Sequence, residues 1–215
     1  MGKGKDFVMK KVFVDGSAGT TGLRIRERLS KREDIELVTL PENLRKDVSA
    51  RQNAINSSDF VFLCLPDSAA IDAAKLCENE NTVIIDASTA HRTASGWIYG
   101  FPEIKGQKEK IVLSKRIANP GCHASGFIAL IRPLTDSGII KAAASLSCFS
   151  ITGYSGGGKK MIAEYEEIKN DLLKAPRQYG LSQNHKHLPE MSKMCGLLNP
   201  PIFSPIVAPF YSGMA

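Results

Sequence analysis

A strongly apolar run, KVFVD at residues 11–15, passes without a break into GSAGTTG and then into LRIRERLSKR. The run is short and rich in β-branched and aromatic side chains, so it reads as a buried parallel strand. Beyond the glycines, Leu23, Ile25 and Leu29 are interleaved with Arg and Glu, the pattern of an amphipathic helix. Gly16-Ser17-Ala18-Gly19-Thr20-Thr21-Gly22 has the spacing G-x-x-G-x-x-G. Glycines there let the backbone turn sharply and approach a pyrophosphate, and the helix that follows offers unpaired N–H groups and a positive dipole end. Ser17, Thr20 and Thr21 add hydroxyl donors. A glycine-rich turn alone is as often a mere tight turn. Its place between an apolar strand and a helix is what points to a dinucleotide.

The pattern repeats. Residues 35–40 read as a second strand, 48–57 as a short helix, and 59–65 (DFVFLCL) as a third strand ended by Pro66. A helix over 68–79 and a strand over 82–86 (TVIID) follow. Strands alternating with helices at this spacing predict βαβ units and a parallel sheet that binds its ligand at the carboxyl ends of the strands. Cofactor contacts are expected at Gly16, Ser17, Gly19, Thr20, Thr21 and Gly22, with Leu65 and Pro66 at the end of the third strand. A preference for NAD would call for an acid at the end of the second strand. Here Glu42 lies beyond Pro41, and Arg45 and Lys46 follow. The expectation is NADP, with the two cations near a 2′-phosphate. The plainer alternative for them is a solvated loop.

After residue 90 the periodicity loosens. Residues 91–106 are loop-rich, and 111–118 read as a strand or a linker. Asn119-Pro120-Gly121 is a turn, followed by a helix over 122–131. A strand over 145–152 (SLSCFSIT) leads into GYSGGGKK and a charged helix over 161–174. The expected division is a cofactor domain at 1–119 and a catalytic domain at 120–215.

The five cysteines are odd in number and form no CxxC pair, which argues against a disulfide framework or a zinc site and for a reduced compartment. No apolar run approaches a bilayer span and the amino terminus has no apolar signal core, so a cytoplasmic location is expected, with no membrane partner. The 28 basic residues are scattered among 22 acidic ones. No basic block indicates nucleic acid, while a formal charge of +6 suits small anions.

Cys64 and Cys148 lie in strand-like runs and read as small apolar residues. Cys122 differs, because it follows the Asn-Pro-Gly turn at a helix start, where the dipole and free N–H groups favour a thiolate. Two of the four histidines fall in His185-Lys186-His187-Leu188-Pro189-Glu190. A cysteine with histidine far away in sequence is the usual arrangement for nucleophilic catalysis. His123, a helix neighbour of Cys122, reads as structural. His91, in DASTAHRT, either lines the site or is solvated.

Together KVFVDGSAGTTGLRIRERL, FLCLPD, DASTAHR, YGFPEI, ANPGCHASGF, TGYSGGGKK and HKHLPE resemble the N-acetyl-γ-glutamyl-phosphate reductases of arginine biosynthesis, in their shorter variant. The resemblance implies an α/β fold: a Rossmann-like parallel-sheet cofactor domain and an α+β catalytic domain of the glyceraldehyde-phosphate dehydrogenase type. It implies NADPH-dependent reduction of an acyl phosphate to a semialdehyde through a cysteine thioester, in a homo-oligomer. Cys122 takes the nucleophile's place, and His185 and His187 that of the acid/base and its neighbour, their order left open. Ser155, Gly156 and Gly157 fall near the substrate phosphate. Arg92 is a candidate for its carboxylate, with a plain surface arginine as the alternative. No metal is implied. Family members continue beyond Ala215, so the chain reads as truncated within its second domain. The rival readings are an enzyme acting on aspartyl phosphate, a non-catalytic NADP-binding protein, and a Cys-His hydrolase without nucleotide.

Overall fold

The computed structural model describes residues 9–16, 19–168 and 170–213. Two compact units emerge: residues up to Ile98 together with Ile111–Asn119, and Tyr99–Lys110 together with the chain from Pro120 onward.

In the first unit β1 (Lys10–Asp15), β2 (Ile35–Val38), β3 (Phe60–Leu63), β4 (Val83–Asp86) and β6 (Arg116–Ala118) form a sheet, whose full order β2-β1-β3-β4-β6-β5 ends on the two-residue β5 (Ile98–Tyr99), where the unit division falls. The pairs among β2, β1, β3, β4 and β6 are all parallel. Helices α1 (Thr20–Leu29), α2 (Val48–Asn56) and α3 (Asp67–Lys75) make the crossovers. The sheet forms because β3 and β4 put Val61, Leu63 and Ile84 fully out of solvent against Ile55 of α2 and Ala70 and Ala73 of α3. The small alanines let α3 pack closely on the strands. Asp47 starts α2 by accepting a hydrogen bond from the Ala50 amide at 2.7 Å. The register sets Asp15 beside Leu63, Leu63 beside Asp86, and Asp86 beside Ala118. The glycine-rich turn, Cys64-Leu65, Ala87 and Asn119 therefore leave the sheet along one edge, the carboxyl edge where such sheets bind ligands.

One expected segment differs. Residues 111–118 are neither strand throughout nor linker. Gln107–Leu113 is a helix, α4, and only Arg116–Ala118 is strand. The run Ile111-Val112-Leu113 closes α4, with Val112 and Leu113 exposed. Three apolar residues are too few to separate the two periods, and the helix-favouring Gln107, Lys108, Glu109 and Lys110 decide it.

The second unit packs α5 (Cys122–Asp136) and α7 (Leu188–Cys195) with a three-stranded sheet of order β7-β9-β8. β7 (Ser147–Gly153) runs parallel to β9 (Ile202–Ala208), and β8 (Arg177–Gln178) antiparallel to it. Ala124, Phe127 and Ile128 of α5, Leu188, Met191 and Cys195 of α7, and Phe203 of β9 form its core. The charged helix is shorter than the pattern predicts and starts earlier. α6 spans Gly158–Glu166, and Asn170 opens a separate 3-10 turn, Asp171–Lys174, by accepting from the Leu172 amide. A capping asparagine competes with helix continuation.

Candidate active site

Cys122 is the first residue of α5 and the one exposed cysteine among the five. Gly121 is the N-cap and no side chain caps the helix, so its first N–H groups face outward beside the thiol. The turn before it is held from below. The Gly121 amide donates to Oε2 of Glu190 at 3.0 Å, and the Tyr99 hydroxyl donates to the same oxygen at 2.7 Å. Glu190 is 1% exposed. A buried carboxylate that takes two donors fixes the backbone at the residue preceding Cys122.

The imidazoles gather behind that helix start. His185, His187 and His123 lie with ring centroids 4.7–5.9 Å apart, and Phe203 closes the cluster 5.3 Å from His123 and 5.0 Å from His185. The His187 amide donates to Nδ1 of His185 at 3.1 Å. A neutral ring whose Nδ1 accepts carries its proton on Nε2. Burial first, and the charge of Lys186 second, hold His185 below the ordinary histidine range, so the neutral form prevails near pH 7. His187 is buried, with Nε2 3.9 Å from Oε1 of Glu190. His123 is buried and bonded at both nitrogens, to the hydroxyls of Ser150 at 2.7 Å and Tyr179 at 2.8 Å.

Ser155, Gly156 and Gly157 form a 3-10 turn between β7 and α6, with Gly157 as the N-cap of α6. Their entry is threaded tightly. The Tyr154 and Ser155 amides donate to the carbonyls of Phe210 and Tyr211. A Cβ on Gly153 would lie 2.7 Å from the Phe210 carbonyl oxygen, so only glycine fits there.

In the first unit Gly16 has φ +84°, and a Cβ on it would lie 2.3 Å from the Cys64 carbonyl oxygen. Both facts demand glycine. The Gly19 amide donates to the Gly16 carbonyl at 3.0 Å, and Gly19 is the N-cap of α1 with no side-chain cap. Thr20 and Thr21 open α1, Gly22 is buried within it, and Ser17 lies outside the described residues. Beside this turn is a cavity of about 490 Å³. Gly16, Leu65, Leu40, Arg26, Arg45 and Lys46 are among its walls; Arg45 and Lys46 sit in an exposed turn at its rim, with Arg45 3.9 Å from Glu42 Oε1. Arg51 also lines it, but its guanidinium sits 2.8 Å from the buried carboxylate of Asp15. Pro66 is the N-cap of α3.

His91 is neither solvated nor open. Its Nδ1 lies 2.6 Å from Asp86 Oδ2 and its ring stacks on Trp97 at 3.9 Å. Arg92 is buried, its Nε donating to the Asn119 carbonyl at 3.0 Å and its Nη2 to the Ala87 carbonyl at 3.2 Å. It ties the ends of β4 and β6 together, a role that neither sequence alternative included.

Residues 42–112 match the family "Semialdehyde dehydrogenase, NAD binding domain", and residues 122–215 match "Semialdehyde dehydrogenase, dimerisation domain". The N-acetyl-gamma-glutamyl-phosphate reductase of Sinorhizobium medicae is 48% identical over 209 residues, covering 95% of this chain and 67% of its own length. The chain belongs to the N-acetyl-γ-glutamyl-phosphate reductase family. The reductase of Trichormus variabilis is 46% identical over 210 residues, and the chain spans 65% of that relative's length. Among solved structures, aspartate semialdehyde dehydrogenase II from Vibrio cholerae matches with a TM-score of 0.65 at 16% identity, over 96% of this chain and 72% of that one. Aspartate semialdehyde dehydrogenase with NADP from Candida albicans matches at 0.61 and 18%, over 96% and 70%. These likenesses carry the fold: a parallel NAD-binding sheet with helices, and a second α+β domain of the semialdehyde dehydrogenase type.

Within this reductase family framework, sequence reasoning passed over Glu190, Tyr99, Ser150 and Tyr179. Glu190 stood inside the HKHLPE motif without a role. Its clue was its place on the first turn of a helix whose i−3 neighbour, His187, was already a candidate. Tyr179 and Ser150 had no local signal.

Proposed function

We propose that the chain carries the machinery for NADPH-dependent reduction of N-acetyl-γ-glutamyl phosphate to the semialdehyde and phosphate, the reaction named by its relatives. The observation that carries the proposal is an exposed Cys122 at an uncapped helix start, in one unit with a neutral His185 whose proton sits on Nε2.

The Cys122 sulfur attacks the acyl carbon, the C–O bond to phosphate breaks, and a thioester remains on Cys122. When bound, the dihydronicotinamide supplies the hydride that takes this thioester to the aldehyde level. His185 Nε2–H donates to the carbonyl oxygen as it becomes an oxyanion, and the Cys122 thiolate departs when the aldehyde forms. His187, buried against Glu190, serves to present its amide to His185. His185 is thus assigned the acid/base and His187 the supporting role. Ser155, Gly156 and Gly157 are assigned to the substrate phosphate, and Arg92 is retained for its carboxylate.

The glycine cradle at Gly16, where a Cβ would strike Cys64, fits a pyrophosphate, with Gly19, Thr20, Thr21, Gly22, Leu65 and Pro66 around it. Arg45 and Lys46, joined by Arg26, favour NADP over NAD. We assign residues 1–119 to the cofactor domain and 120–215 to the catalytic one. The dimerisation-domain match supports a homo-oligomer. No helix of the described residues is long and apolar enough to cross a membrane; a cytoplasmic location accords with the biosynthetic roles of the relatives.

The test runs the reaction backward, with N-acetylglutamate semialdehyde, phosphate and NADP⁺. Phosphate-dependent NADPH formation that disappears in Cys122→Ser supports the assignment. Equal turnover in the variant, or turnover with aspartate semialdehyde only, removes it.

A further inference from the structure

The strand β8 ends after two residues, and a side chain closes the edge of β9 that it leaves open. Arg177 and Gln178 of β8 pair with Val207 and Ile206 of β9. One further bond continues the ladder, from the Tyr179 amide to the Pro205 carbonyl at 3.0 Å. Pro205 has no N–H to return. The same register would set Leu181 against Phe203 as the next bonded pair. That pair does not form. Gly180 takes φ +65° and turns the chain outward, which leaves Leu181 70% exposed. Phe203 is 1% exposed, so its backbone N–H and C=O need partners from elsewhere.

Gln183 supplies what Leu181 does not. Its Nε2 donates to the Phe203 carbonyl and its Oε1 accepts from the Phe203 amide, both at 2.8 Å. A side-chain amide carries a donor and an acceptor side by side, as a peptide unit does. The glutamine thus stands in for a strand residue. Its own backbone bears the cost. Gln183 has φ +55°, the one non-glycine residue with a positive φ among the described residues, and its amide closes the turn on the Gly180 carbonyl at 3.2 Å. Strain of this kind persists where the surroundings over-determine it, and it gathers at functional sites.

What the clip holds is His185, two residues further on. The His185 ring meets the Phe203 ring with centroids 5.0 Å apart, and a Cβ on Gly180 would lie 3.7 Å from its Cδ2. Its Nδ1 takes the His187 amide at 3.1 Å, and its carbonyl takes the Leu188 amide at 3.0 Å at the head of α7. The loop from Tyr179 to Leu188 is therefore fastened to β9 at Pro205 and Phe203, and to α7 at His185. Phe203 joins the two ends of the argument, because Gln183 grips its backbone and His185 rests on its ring.

We propose that Gln183 is a positioning residue of this site: by clipping the Phe203 backbone it sets the loop so that His185 keeps Nδ1 on the His187 amide and offers Nε2–H to the substrate oxygen. The proposal rests on the reading of His185 as the acid/base. Two substitutions separate this role from that of an ordinary turn residue. Glycine and asparagine both adopt a positive φ more readily than glutamine. Glycine carries no amide, and the asparagine amide is one methylene short of Phe203. A residue that served the turn alone would be replaced by either without further consequence.

The test makes Gln183→Gly and Gln183→Asn in the full chain and reads the histidine rings by heteronuclear NMR. In the native chain His185 shows one neutral tautomer, Nε2–H with Nδ1 accepting, and the His187 amide proton is shifted downfield by that bond. Both variants keep the fold and the native NADP affinity. In both, His185 becomes a mixture of tautomers and the His187 amide proton moves upfield. In the reverse reaction kcat falls on the order of tenfold to a hundredfold, the penalty of a misplaced catalytic group. KM for the semialdehyde stays within about twofold, since ground-state binding is not touched. Gln183→Glu, which keeps the acceptor and the length but loses the donor, falls between these variants and the native chain. Glycine and asparagine variants whose His185 tautomer and His187 amide resonance overlay the native ones overturn the proposal, whatever their rate. Loss of both signatures with undiminished turnover leaves Gln183 as the residue that positions His185 and removes His185 as the acid/base.

Discussion

In the first unit the candidate binding surface is backbone: Gly16 and Gly19, and the open amides at the start of α1. In the second unit the candidate chemistry is made by side chains from five stretches of chain, namely Tyr99, Cys122 with His123, Ser150, Tyr179, and His185 through Glu190. The first surface depends on what is missing at one position, since a single Cβ on Gly16 would strike the Cys64 carbonyl and push the turn off the end of β3. The second depends on agreement among distant residues, each of which fixes another's proton or backbone. A site of the first kind fails abruptly at one residue. A site of the second kind degrades in steps.

That contrast can be broken. The largest effect is expected at Gly16. Gly16→Ala meets both a left-handed φ and the Cys64 carbonyl, so the strain alone costs about 1–3 kcal/mol. NADP affinity should fall more than about tenfold, since a loss near 1.4 kcal/mol already gives that factor. Urea titration and cofactor binding check both, and a variant with native affinity would show that the cradle is not rigid.

Glu190→Gln comes next. The amide oxygen can still accept from both Gly121 and Tyr99, but without the carboxylate charge that strengthens the two bonds, at a cost of about 1–3 kcal/mol. The denaturation midpoint and the reduction rate should both fall, while NADP binding stays native. Loss of NADP binding in this variant would contradict the separation of the two sites.

Arg45→Ala and Lys46→Ala should each weaken NADP by roughly tenfold and leave NAD unchanged, an effect typical of one charge-assisted contact. Equal loss for both cofactors would move the cations away from a 2′-phosphate.

The smallest effect is on stability against pH. His123 is held well below its unfolded value, at about 4 in the native chain. Above about pH 6.5 the ring is neutral in both states and costs nothing. As pH falls from there toward 4, the unfolded chain takes up the proton and the native chain does not, so stability declines; below 4 the decline from this group stops. Histidine resonances followed by NMR should show one ring still neutral near pH 5. A ring that titrates normally at that position would remove the neutral hub from the cluster.

The same contrast explains what could be read from the chain. The strand, glycine turn and helix over 11–32 were legible because a strand, a positive φ and a helix start are local properties written in adjacent residues. β3 and β4 were legible as apolar runs with clear ends. β8 and β9 were not. β9 carries Pro205 within a parallel pair, and β8 has only two residues, so neither presents a periodic signal. Cys122, His185 and His187 were singled out by residue type and by the resemblance, and one unit contains all three. Which histidine acts was not legible, because the proposed assignment to His185 rests on a hydrogen bond between the His187 backbone and His185 that no sequence pattern shows. His123 was read as a bystander from its helix neighbourhood. It is buried as that reading implies, yet it joins two hydroxyls that lie 27 and 56 residues away. Arg92 shows the reverse limit: the plain surface alternative fails because the fold buries it on the carbonyls of Ala87 and Asn119, a position that its residue type did not announce, while its carboxylate role stays a proposal.

The central claim is that Cys122 holds the acyl group. The most direct measurement mixes the chain with N-acetyl-γ-glutamyl phosphate in the absence of NADPH, quenches in acid, and maps the modified peptide by mass spectrometry. The N-acetylglutamyl mass is expected on the peptide containing Cys122, and it should disappear with release of semialdehyde once NADPH is added. An adduct on another residue, or none on a folded chain that still consumes NADPH with the substrate, would contradict it.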